Sequence, residues 1–142
     1  MPLYDIDYGI WLQKQIASLQ QHNWEELDIP NLIEELEALN KSNKRELYSY
    51  TVVLLAHLLK WQFQKEARSG SWKAFITNSR NRIGRLLKDQ PSLKNYLPEI
   101  LQEAYVEARN WAHEETGLDI DIFPTVVPYL VEQLLDPSFL PD

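Results

Sequence analysis

The sequence predicts an all-α fold: a single-domain helical bundle of five or six helices around a long central helix, spanning residues 1–142. Three observations carry that expectation. No Pro or Gly interrupts residues 31–69, so nothing there stops a helix. Leu32, Leu36, Leu39, Asn43, Leu47, Tyr50, Leu54, Leu58 and Trp61 recur three or four apart, the period of a helix and not of a strand. Residues 50–59 are apolar nearly all round, and a helix without a polar face is enclosed by other elements.

In chain order, Asp5 or Asp7 caps a first helix with Ile10, Trp11, Ile16 and Leu19 facing inward. Residues 21–30 connect, with Asn23 capping a short turn. Asp28 or Asn31 caps the next element, and Pro30 suits a first helical turn. One rod from Asn31 to about Lys65 then extends about 50 Å at the usual rise. The competing possibility is a break near Asn40–Asn43, where two asparagines occupy the apolar stripe. Residues 47–65 form the central post. Ser69-Gly70-Ser71 ends the rod and caps a fourth helix. Its inward face is Trp72, Phe75, Ile76, Ser79, Ile83, Leu86 and Leu87, and its arginines fall largely outside. A fifth helix starts near Leu97-Pro98-Glu99 and stops at Gly117 in the left-handed position. Residues 119–123 form an extended strap. Thr125–Leu135 makes a last helix, with Pro128 in its first turn.

Composition narrows the function classes. The chain has 44% hydrophobic and 25% charged residues, a balance of folded globular domains. At 142 residues it buries roughly two thirds of its unfolded surface. The absence of cysteine removes disulfides and thiolate metal sites and suits a reducing cytoplasm. The N-terminus lacks the basic region of a signal peptide. No uncharged apolar run approaches the roughly 20 residues of a membrane span.

The net charge of −7 is unevenly spread. Residues 65–94 carry eight basic side chains against Glu66 and Asp89, a cationic segment in an acidic chain. That pattern marks either an anion-binding face or a basic helix lying against acidic neighbours. The overall acidity argues against nucleic acid as a partner.

The candidate chemistry is sparse. His22, His57 and His113 lie far apart, with no HxxxH, HExxH or ExxH pair, so no metal and no cofactor is expected. His57 stands among leucines with Lys60 one turn on, an imidazole kept neutral beside a lysine. Glu35 points to the same edge and is expected in an ion pair with Arg68, Arg80 or Lys60. The catalytic candidates are therefore Glu35, His57 and Lys60, with Ser69 or Ser71 as the only nearby hydroxyls. Arg68, Ser71, Lys73 and Arg80 are the anion-binding candidates, the first three of them at a helix N-terminus. That stretch lacks the spacing of a P-loop.

Several motifs in order resemble one family. They are Asn31-Leu-Ile-Glu-Glu-Leu-Glu, His57-Leu-Leu-Lys-Trp61, Arg68-Ser-Gly-Ser-Trp72, Pro91-Ser-Leu-Lys94, Glu115-Thr-Gly-Leu118 and the ending Phe123-Pro through Pro141. Together with Tyr4, Asp7 and Trp11 they are similar to the bacterial domain of unknown function family twenty-nine over nearly the whole chain. The resemblance implies a stand-alone, all-helical cytoplasmic domain and carries over no activity. Two functions are left. One is a non-catalytic binding or interaction module for a protein or anionic partner, without a membrane association and with a homo-oligomer as an option. The other is a hydrolytic or metal-assisted enzyme around Glu35, His57 and Arg68.

Overall fold

The computed structural model describes residues 1–142 and is built of helices without strands. Its elements are α1 (Leu3–Ile6), α2 (Tyr8–Gln20), α3 (Ile29–Phe63), α4 (Gly70–Asp89), α5 (Leu93–Thr116) and α6 (Val131–Leu135). Short 3₁₀ turns occupy Trp24–Glu26, Lys65–Ala67 and Ile120–Ile122. Contacts gather into two compact units, Met1–Ser42 and Asn43–Asp142. The 35-residue α3 contributes to both and has no break. The expected long rod is therefore present, and the two asparagines do not interrupt it. No helix is long and apolar enough to cross a membrane.

In the first unit the local signals act through polar bonds more than through a core. Asp7 caps α2 by accepting the Ile10 N–H at 3.0 Å. Asp28 is the hub. Its carboxylate accepts the Asn31 side-chain amide at 2.7 Å and the Trp11 indole N–H at 2.8 Å. Its own N–H donates to the buried Gln15 at 2.7 Å. These donors, Asn31 first and Trp11 next, hold the Asp28 carboxyl below the usual carboxylate range. Trp11 is the unit's one buried apolar side chain. Ile10, Ile16 and Leu19, expected inward, are each about half exposed. So few residues cannot surround two helices, and the grip on α2 falls on the Trp11 and Gln15 side alone.

The second unit has a conventional core. From Leu47 onward α3 buries Leu54, Leu55, Ala56, Leu58 and Leu59 completely. Ile76 and Ile83 of α4, Leu97, Ile100, Ala104 and Tyr105 of α5, and Phe123 and Leu134 close around it. The enclosure expected of residues 50–59 is what the structure has. Ser69 caps α4, accepting the Trp72 N–H at 3.3 Å.

Three expectations need correction. α5 begins at Leu93, a turn before Leu97-Pro98. The buried Leu93 draws the chain into helix early and offsets the hydrogen bond that Pro98 withholds in the second turn. The strap at 119–123 is instead a tight turn, tied down by Arg109, whose Nε donates to Phe123 O at 3.1 Å and Nη2 to Ile120 O at 2.9 Å. The last helix is only Val131–Leu135, because Pro128 biases the residue before it away from helical angles. Gly117 does end α5 in the left-handed region, with φ 72° and its N–H on His113 O at 3.0 Å.

Candidate functional site

The chemistry-bearing residues of the second unit meet where α3, α4 and α5 converge. Position 57 of α3 is 3% exposed. Its imidazole stacks on Phe75 of α4 at 4.6 Å and meets Trp111 of α5 edge-on at 5.6 Å. Nδ1 lies 2.8 Å from the Val53 carbonyl. A carbonyl only accepts, so Nδ1 carries a proton, and in the neutral ring Nε2 is the unprotonated nitrogen. Burial is the first cause that pushes the His57 pKa below its ordinary value, and the Lys60 charge works in the same direction.

Lys60, one turn on, is 4% exposed. Its ammonium pairs with the Glu115 carboxylate of α5. It also lies 5.7 Å from the ring centroids of both Trp72 and Trp111, within cation–π range. The Lys60 hydrogen bond is the main reason that Glu115 titrates below the usual carboxylate range. A buried ammonium is thus compensated by one carboxylate and two aromatic faces, which is how a buried charge is tolerated. Sequence reasoning named His57 and Lys60 but missed Glu115, Trp72 and Trp111 as their partners. No linear signal could find them, since Glu115 is 55 positions from Lys60.

The other candidates go elsewhere. Glu35 forms no ion pair: its two carboxylate oxygens accept from Tyr4 and Tyr8, all within the first unit. The hydrogen bond from Tyr4, and then that from Tyr8, lower the Glu35 pKa, and the first of these raises Tyr4 to about 12. Arg68 stacks over Trp61 at 4.8 Å and donates Nε to the Trp61 carbonyl at 2.7 Å. Its Nη2 reaches the Asp142 carbonyl at 3.1 Å. Arg80, expected off the inward face, is buried instead. It donates Nε to Leu134 O at 2.9 Å and Nη2 to Gln133 O at 3.1 Å, satisfying carbonyls at the end of α6.

Neither serine serves His57. Ser69 Oγ is occupied as the cap, and Ser71 lies exposed on α4. Lys73 is exposed and lines a shallow groove of about 420 Å³ with Gly70, Ala74, Thr77, Asn78 and Asn81. A smaller groove of about 230 Å³ is lined by Ser71, Ala74, Phe75 and Asn78. His57, Lys60 and Glu115 line neither. No three His, Asp or Glu side chains sit where they could share a metal ion.

A family model described as domain of unknown function DUF29 matches residues 3–140. The chain belongs to the DUF29 family. No curated protein and no solved structure matches it. The motif residues of this DUF29 chain are largely those engaged in its internal polar contacts. Asn31 bonds Asp28, Glu35 bonds the two tyrosines, Lys60 pairs with Glu115, and Arg68 joins Trp61 to the last residues of the chain.

Proposed function

We propose that this DUF29 chain is a non-catalytic interaction module that holds a protein partner through its first unit. One observation carries the proposal. Eleven of the 16 large apolar side chains exposed on the whole chain lie in residues 1–42. Exposed apolar side chains gathered in one region mark contact surfaces, whereas scattered ones are ordinary. The groups that chemistry would need are meanwhile committed: Lys60 to Glu115, Arg68 and Arg80 to backbone carbonyls, Glu35 to tyrosines. Of the anion-binding candidates only Ser71 and Lys73 stay free, so a protein partner has more support than a small anion. The absence of cysteine supports a cytoplasmic setting.

The test is in-cell photo-cross-linking from Leu36 and Leu39, which are 64% and 63% exposed. A discrete heavier adduct at both positions, removed by Ile33→Ser, is expected. Failure to form any adduct at Ile16, Leu36 and Leu39 would overturn the proposal.

A further inference from the structure

The partner's chemistry follows from the same unit, and this inference rests on the module reading above. On α3, Ile29, Ile33 and Leu36 recur at spacings of four and three, are 50%, 51% and 64% exposed, and have Leu39 beside them. That spacing puts them in one stripe along the helix. On α2, Ile16 and Leu19 are exposed three apart, with half-buried Leu12 four residues before Ile16. A stripe of this form is what a second helix packs against, ridge into groove.

The net charge of the unit that bears the stripes is strongly negative. Residues 1–42 hold eight acids and two lysines, a net of −6. Asp5, Asp7, Glu25, Glu26, Glu34 and Glu37 are all exposed. We infer that the first unit docks a cationic amphipathic helix of another protein, its apolar face on the α3 stripe and its basic residues against the exposed carboxylates. Complementary charge of this kind selects partners more than it adds affinity.

The same charges disfavour a second copy of this chain as occupant. Two first units face to face would set −6 against −6. The exposed face of α4 has the right sign through Lys73, Arg82, Arg85 and Lys88, but Thr77, Asn78 and Asn81 lie between them and Phe75 is its one large exposed apolar side chain, too little for an apolar stripe.

The probe is a designed amphipathic helical peptide of leucine and lysine, titrated onto the full chain by fluorescence anisotropy. A scrambled peptide of equal composition and a leucine–glutamate counterpart serve as comparators. Saturable binding of the leucine–lysine helix is expected, at least about tenfold tighter than either comparator, which corresponds to about 1.4 kcal/mol. Ile33→Ser with Leu36→Ser, both at exposed positions, should remove that preference while circular dichroism stays unchanged. Equal binding of the scrambled peptide, or full binding by the double variant, overturns the inference. So does a dimer in sedimentation that the double variant dissolves, since the occupant is then a second copy. Cross-linked adducts at Leu36 that persist alongside a failed peptide test leave the module standing and remove only the cationic helix.

Discussion

Residues 43–142 bury 20 of the chain's 21 core apolar side chains, while residues 1–42 bury Trp11 alone and leave 11 large ones at the surface. One helix, α3, supplies both environments. Its second half buries Leu47, Leu54, Leu55, Leu58 and Leu59, and its first half exposes Ile33, Leu36 and Leu39. The leucines are chemically the same in both stretches. Helical period tells which residues share a face, but not whether another element covers that face. Cover is supplied by α4 and α5 in one unit and is missing in the other, and that difference places the proposed binding surface.

The contrast is open to breakage at several points. The largest effect is expected from Trp11→Ala, about 3–5 kcal/mol for an aromatic lost from a buried site. Hydrogen exchange should show the loss in amides of α1 and α2, with those of α5 still protected. Equal loss of protection in both units would mean that they unfold as one. Leu58→Ala, inside the completed core, should cost about 2–5 kcal/mol and lower the denaturant midpoint of the second unit. A cost near zero there would refute the enclosure of α3.

Glu115→Gln comes next. It leaves the buried Lys60 ammonium with two aromatic faces and no carboxylate, at about 1–3 kcal/mol, the lower half being expected because Glu115 itself is 45% exposed. Chemical denaturation measures it, and a neutral result would show that Trp72 and Trp111 suffice for the charge.

The pH dependence has a defined sign. The folded pKa of His57 lies below its ordinary value of 6.5, so the unfolded chain takes up the proton first. Stability is complete above about pH 6.5 and declines as pH falls through the folded pKa. Glu115, held below 4.5 by Lys60, adds a second loss under that value. Melting temperatures across this range should fall in both steps, and His57→Gln should remove the first. A flat profile down to the carboxylate range would contradict the neutral buried imidazole. The smallest effect belongs to Leu36→Ser, within about 0.5 kcal/mol as for other exposed positions. A larger penalty in thermal melts would show that the stripe is covered within the chain itself.

Legibility differed between the fold and the site. The rod of α3, the left-handed Gly117, and caps narrowed to Ser69 or Ser71 and to Asp5 or Asp7 were readable because each depends on residues within one or two turns. His57 and Lys60 stood out as polar groups in an apolar run. Their roles did not, since Glu115, Trp72 and Trp111 arrive from other helices. Arg80 shows the same limit. Helical spacing left it off the inward stripe, yet the end of α6 offers carbonyls that only a folded chain brings to it.

By itself, then, the sequence determined the long rod of α3, the stop of α5 at Gly117 and the need to enclose one stretch of α3, but not where α5 and α6 begin. Periodicity and capping are local, and they hold whatever else the chain does. Only the tertiary structure decided which apolar stripe stays open, which carboxylate meets Lys60, and that Glu35 answers to tyrosines and to no cation. Those outcomes depend on contacts between residues tens of positions apart, and no local pattern encodes which distant side chain arrives.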